Sequence, residues 1–348
     1  MDNLAAVLHG PMDLRLEKIK QPEMGEHDVL LAVGSVGICG SDLKYWKSGQ
    51  CGRFTVTQPM VIGHEASGTV VKAGPAVTTL KPGDRVAVEP GVPCRNCKVC
   101  RHGRYNLCPD VKFCATPPVD GNICRFYSHP ADFCFKLPDH VTLDQGAMLE
   151  PLAVAVYSCR RADVTSGSTI LICGAGPVGV LCMMVARSAG AASILITDID
   201  DHRLNVAKSL GADHVIKVTT SDPEELANQI EVALGTKPDA SFECSGTDFS
   251  MATSVYATHP GGSVMMIGRG SAKPEVPLNL AAMREIDIKG INRYANCYPT
   301  ALSLVESGQV DVTTLITHHF PITETVRAFQ TAVTPESRAV KVMIHCDQ

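Results

Sequence analysis

The sequence predicts an α/β chain in two domains: a β-rich domain of short strands, and a doubly wound parallel sheet with helices on both faces. Three observations predict it. At roughly 150 residues per domain, 348 residues give room for two. Six apolar runs alternate with helical patterns between residues 153 and 290, the rhythm of a parallel sheet covered on both sides. A glycine-rich turn joins the first of those runs to a helix-like segment.

In chain order, residues 1–152 read as short β segments between Gly/Pro turns. Val29–Val36, Gly68–Lys72 and Arg85–Glu89 are examples, the last introduced by the turn Pro82–Gly83–Asp84. The runs Thr169–Cys173, Ser193–Asp198, His214–Val218, Ala240–Cys244, Gly262–Ile267 and Ile286–Lys289 then alternate with helical patterns such as Val178–Ala189 and His202–Leu210. Residues 291–348 add helical segments at Tyr298–Ser307 and Thr323–Thr331 and a last strand, Ala339–His345. This tail is expected to return to the first zone, giving one domain from 1–152 with 291–348 and another from 153–290.

Composition narrows the function. Hydrophobic residues make up 45% and charged residues 19%, which excludes global disorder. The net charge is −5, and nothing in it marks a dedicated partner of nucleic acid or of acidic membranes. The most apolar stretch, near Ser168–Ala186, is broken by glycines and Pro177, and no signal-like run follows Met1–Asp2–Asn3. A soluble cytoplasmic enzyme is expected. The 15 cysteines, an odd number without a secretion signal, point to metal ligands and buried thiols rather than disulfides.

The glycine-rich turn is Gly174–Ala175–Gly176–Pro177–Val178–Gly179, a G-x-G-x-x-G in strand–turn–helix context. Gly174 permits the tight turn, Gly176 lets the backbone approach a pyrophosphate, and Gly179 lets helix and strand pack closely. Val178 lies in the same turn, and the helix N-terminus offers free N–H groups. The next strand ends in Asp198, 19 residues after the last glycine, where a carboxylate accepts ribose hydroxyls and repels a 2′-phosphate. The cofactor expected is NAD. Arg203, the nearby cation, is carried among the cofactor candidates, though its plainer reading is a solvated residue on the next helix.

Cys94, Cys97, Cys100 and Cys108 fall within 15 residues and can close a tetrahedral shell around Zn²⁺, a structural site with no open position. An iron–sulfur cluster is the rival, but the bacterial run places three residues before its final cysteine and this one places seven. The interleaved Arg95, Lys98, Arg101, His102 and Arg104 are expected to face solvent and help hold thiolate charge. Cys39, His64 and Glu65 form a second set, one soft and two harder ligands suited to Zn²⁺ with an open fourth position; Glu150 could approach from the domain junction. Alone, each also reads as a buried cysteine, a core histidine or a surface carboxylate, so spacing leaves this metal open.

The order of these motifs — Gly37-x-Cys39-Gly40-Ser41-Asp42, Gly63-His64-Glu65-x-x-Gly68, the four-cysteine lobe, Gly174-x-Gly176-x-x-Gly179 — resembles the zinc-containing medium-chain dehydrogenases. Four further segments are similar to the polyol (sorbitol, or L-iditol 2-) dehydrogenase branch: Glu89–Cys94, Arg104–Cys108, Phe113–Pro118 and Glu285–Gly290. The resemblance runs essentially end to end. It implies a GroES-like catalytic domain with a Rossmann domain inserted. It also implies a catalytic zinc on Cys39, His64 and Glu65, with Glu150 on the zinc's water or, in some states, on the metal. Tyr45, Phe113, Arg293 and Tyr294 match positions lining the polyol site, with core packing the plain alternative for Phe113 and Tyr294. Members are usually tetrameric, and some have lost the lobe cysteines. The implied reaction moves a hydride from C2 of a polyol to NAD, with Ser41 and Glu150 assisting the proton. Another polyol, such as xylitol or L-arabinitol, and a silent binding protein of the same fold are the alternatives. One position departs: Lys44 stands where the family usually has histidine, and is expected to be a surface residue over a redundant proton route.

Overall fold

A computed structural model describes residues 2–347. The strand Asp28–Gly37 is the backbone of the first unit. It alternates half-buried and buried residues at first and is buried on both faces from Val33 on. Three strands pair with it antiparallel: Glu65–Ala73, Phe126–Pro130 and Lys341–His345. The main sheet runs Cys134–Lys136, Arg85–Val88, Glu65–Ala73, Asp28–Gly37, Lys341–His345, Ile316–Pro321, with its last pair parallel. The tail thus returns to the first zone as the sequence suggested. Leu31, Val36, Trp46, Val86, Phe329 and Ile344 share its core, so the two chain segments bury one hydrophobic interior.

The second unit is a six-stranded, wholly parallel sheet in the order His214–Lys217, Ser193–Asp198, Thr169–Cys173, Ala240–Glu243, Ser263–Met266, Asp287–Gly290. The order reverses beside Thr169–Cys173. That switch point opens a crevice at the carboxyl ends of the strands, where α/β folds of this kind take their ligands. Each strand lies within two residues of its predicted run, because buried parallel strands are continuous apolar stretches.

The compact units divide as Met1–Glu150 with Tyr298–Gln348, and Pro151–Cys297. Sequence reading put residues 291–297 with the first. The structure instead ties them to the second unit, through Ile291 N–H to Met266 O at 3.0 Å and Arg160 to Asn296 O at 2.8 Å. Among the described residues no helix is long and apolar enough to cross a membrane.

Candidate active site and metal centres

The first cluster is built where two paired strands end and a helix begins. Gly37 faces Glu65 across the sheet, and Cys39 caps the helix Gly40–Ser48. A Cβ on Gly37 would lie 2.2 Å from Glu65 Oε2, so glycine there makes the room the carboxylate occupies. The ligand atoms of Cys39, His64 and Glu65 all lie within 4.8 Å of one another.

Asp42 orients two of the three. Its Oδ2 accepts the Cys39 N–H at 3.0 Å, and its Oδ1 accepts His64 Nδ1–H at 3.2 Å, which leaves Nε2 as the nitrogen a metal ion would take in place of a proton. Burial works against a proton on His64, but the charges of Asp42 and Cys39 outweigh it and hold the ring's pKa well above the ordinary value. Lys341 arrives from the returning tail. Its ammonium donates to both Glu65 oxygens, at 2.8 and 2.7 Å, and to Ile38 O at 3.2 Å. Burial opposes the Lys341 charge; Glu65 and Cys39 more than restore it, and its pKa is raised. A carboxylate has lone pairs to spare beyond those two bonds. A cysteine sulfur, an imidazole held by Nδ1 so that Nε2 can ligate, and a carboxylate fit a three-ligand catalytic zinc with one open position.

The lobe is a second cluster. Cys94, Cys97, Cys100 and Cys108 bring four sulfurs within 4.8 Å, with Cys97–Cys100 at 3.3 Å and Cys94–Cys100 at 4.0 Å. All four are free thiols, and those separations bracket the roughly 3.8 Å between sulfurs on one tetrahedral Zn²⁺. The N–H groups of Asn96 and Cys97 point at Cys94 and hold its thiol down to about 7. Burial and the neighbouring thiols push Cys100 up to about 12. The basic residues do not all serve the sulfurs. Arg95 is spent on Asp132, at 2.8 Å to each oxygen, and on the face of Phe133.

In the second unit, Gly174 has φ +110°, the left-handed turn expected of it. A Cβ on Gly179 would lie 1.9 Å from Gly174 O, which no other residue tolerates. Gly176 caps the helix Pro177–Ser188 and faces open space, the opening a pyrophosphate needs; Val178 follows in the first turn. Asp198 is nearly buried. Its Oδ2 accepts Ala175 N–H at 2.7 Å and its Oδ1 accepts Asp200 N–H at 3.0 Å, which fixes the carboxylate beside the turn. Arg203 lies exposed on the helix Asp201–Ser209, its N–H donating to Asp200.

Residues 25–139 match the alcohol dehydrogenase GroES-like domain, and residues 177–307 match the zinc-binding dehydrogenase family. The chain is 52% identical over 346 residues to the sorbitol dehydrogenase of Mus musculus, covering 99% of this chain and 96% of that one. Its identity to the Homo sapiens enzyme of the same name is 50%, at the same coverages. The L-idonate 5-dehydrogenase of Escherichia coli superposes with a TM-score of 0.91 at 29% identity, over 99% of this chain and 98% of that one. The chain belongs to the sorbitol dehydrogenase family. As a member of that family it is a zinc-binding dehydrogenase, with a GroES-like domain and a Rossmann domain.

The other residues expected of a sorbitol dehydrogenase homologue are placed as follows. Glu150 is buried in the first turn of the helix Leu149–Arg161, outside the three-ligand set, yet its charge acts on both Lys341 and Glu89. Ser41 is half-buried in the first turn after Cys39. Tyr45 is buried on the same helix, and Phe113 leans on the His64 ring at 5.6 Å. Lys44 is exposed. Arg293 and Tyr294 belong to the second unit, Arg293 with φ +56°. Sequence reasoning gave no role to Asp42 or Lys341. Asp42 stood in the quoted motif, three residues after Cys39, at the spacing of a capping box. Lys341 sits inside the expected strand Ala339–His345, and no local signal pairs it with Glu65.

Proposed function

We propose that this chain oxidises a polyol such as sorbitol at C2 to the ketose, passing the hydride to NAD. The convergence of Cys39, His64 and Glu65 in a chain half identical to sorbitol dehydrogenases carries this reading. When bound, Zn²⁺ is a Lewis acid that lowers the pKa of an alcohol in its open position, and NAD⁺ accepts the hydride. Cys39, His64 and Glu65 are the proposed catalytic ligands. Cys94, Cys97, Cys100 and Cys108 hold a structural zinc.

The chain's own residues do the rest. Asp42 keeps the His64 Nδ1 proton and fixes the ring. Lys341 offsets the Glu65 charge, so the cluster stays close to neutral around a divalent ion. A Glu150 oxygen takes the hydroxyl proton, with Ser41 Oγ relaying it; Lys44 has no part. Tyr45, Phe113, Arg293 and Tyr294 are the proposed polyol-binding residues, on their match to family positions, with Arg293 the hydrogen-bond donor to hydroxyls. Gly174, Gly176, Val178 and Gly179 cradle the pyrophosphate, Asp198 takes the ribose, and Arg203 stays in solvent. A homotetramer in the cytoplasm completes the proposal.

Absorbance at 340 nm with NAD⁺ and sorbitol, xylitol or ethanol tests it. Sorbitol is expected to be turned over, and Cys39→Ala to lose both catalytic metal and turnover. Selective oxidation of xylitol replaces sorbitol with another polyol; NAD⁺ binding without turnover, or full activity in zinc-stripped protein, overturns the reading.

A further inference from the structure

Two ligand clusters are accounted for above; a third is used by neither zinc site. Asp144, His319 and His345 bring one carboxylate oxygen and one nitrogen of each ring within 4.8 Å of one another. We propose that these three side chains form an additional metal site, for a borderline divalent cation of the Zn²⁺, Ni²⁺ or Cu²⁺ class.

Strand register builds it. In the parallel pair of Ile316–Pro321 with Lys341–His345, His319 lies opposite Met343, so His345, two residues on, projects from the same face. Ser35 lies opposite His345 on the next strand. The helix Leu143–Ala147 supplies Asp144 in its first turn. Ser35 Oγ donates to Asp144 Oδ1 at 2.5 Å and fixes the carboxylate, with Oδ2 3.6 Å from His319 Nδ1.

The spacings point to a shared ion. Oδ2 to His319 Nδ1 is 3.6 Å and Oδ1 to His345 Nδ1 is 3.7 Å, both too long for hydrogen bonds. Two atoms on one cation, with bonds of about 2.0–2.2 Å, sit about 2.9–3.7 Å apart. His319 Nδ1 and His345 Nε2 are 3.0 Å apart with ring planes 6° from parallel, an N–H···N hydrogen bond. With His345 Nε2–H as the donor both Nδ1 atoms carry lone pairs, so a cation breaks that bond, turns the rings and takes His319 Nδ1, His345 Nδ1 and the Asp144 carboxylate with no proton moved. Two imidazoles and one carboxylate select transition cations over Mg²⁺ or Ca²⁺. Asp144 and His345 are mostly covered, at 24% and 19% side-chain exposure, while His319 at 49% leaves coordination positions for water. An ion there ties the strand that carries Lys341 to the helix above it.

Calorimetric titration of Ni²⁺ into untagged, zinc-loaded holoenzyme tests the site, with zinc content measured before and after. One Ni²⁺ per chain is expected to bind without zinc release and to raise Tm. His319→Gln should weaken it at least tenfold and abolish the Tm rise, with turnover in the absence of Ni²⁺ unchanged; Asp144→Asn should weaken it likewise. No uptake beyond zinc exchange, or equal uptake by wild type and both variants, overturns the site.

Discussion

Lys341→Met keeps a side chain of similar length and removes its charge. Glu65 then loses both of its bonds to Nζ, at 2.7 and 2.8 Å, where the two side chains are only 4% and 1% exposed. Removing one member of a buried ion pair costs about 3–5 kcal/mol, because the other charge stays behind in a medium that solvates it poorly. A domain of 150–250 residues loses about 2–4 °C of Tm per kcal/mol, so zinc-stripped Lys341→Met should melt at least about 6 °C below the stripped wild type. Zinc, when restored, supplies the positive charge that Lys341 no longer does. The Tm gap between loaded and stripped protein should therefore widen in the variant. Circular dichroism melts of both forms read this directly. Adding Glu65→Gln should recover much of the loss in the stripped form. A stripped single variant within about 1 °C of wild type would refute the view that Lys341 neutralises this carboxylate.

Three other perturbations follow from the same geometry. Glu89 accepts a 2.7 Å hydrogen bond from Tyr105, but burial raises its carboxyl from 4.5 to about 7. Between those values the folded protein keeps a proton the unfolded chain has lost, so stability should fall by up to about 3 kcal/mol as pH rises through that window. Glu89→Gln should match wild type in urea at pH 5 and exceed it at pH 8; parallel profiles would contradict the assignment. Cys100→Ser leaves three thiols on the lobe and should lower zinc from two per chain towards one by elemental analysis, with the loss confined to the lobe. Gly179→Ala would place a methyl 1.9 Å from Gly174 O and should raise the Kd for NAD⁺ at least tenfold in a fluorescence titration.

What could be read from the sequence was what chemistry confines to short segments. The glycine turn, the lobe cysteines and the strands of the parallel sheet each depend on residues within about twenty positions, so spacing alone exposes them. Cys39, His64 and Glu65 stood as a candidate set on residue type, but a 25-residue gap carries no geometric signal, so the metal stayed open until the resemblance favoured it. Asp42 was visible but silent: a carboxylate three residues past a helix cap reads as capping until the His64 ring is seen against it. Lys341 and the Asp144–His319–His345 group were beyond reach, since both depend on the register of a strand far along the chain.

Glu65 and Lys341 are 276 positions apart, with the whole dinucleotide-binding unit between them. At about 5–20 residues per second, translation leaves that carboxylate without its counter-charge for about 15–55 s. The parallel-sheet unit is finished first, so the zinc pocket matures last. A chain cut before residue 341 would hold every strand of the parallel sheet yet lack the counter-charge of its buried carboxylate.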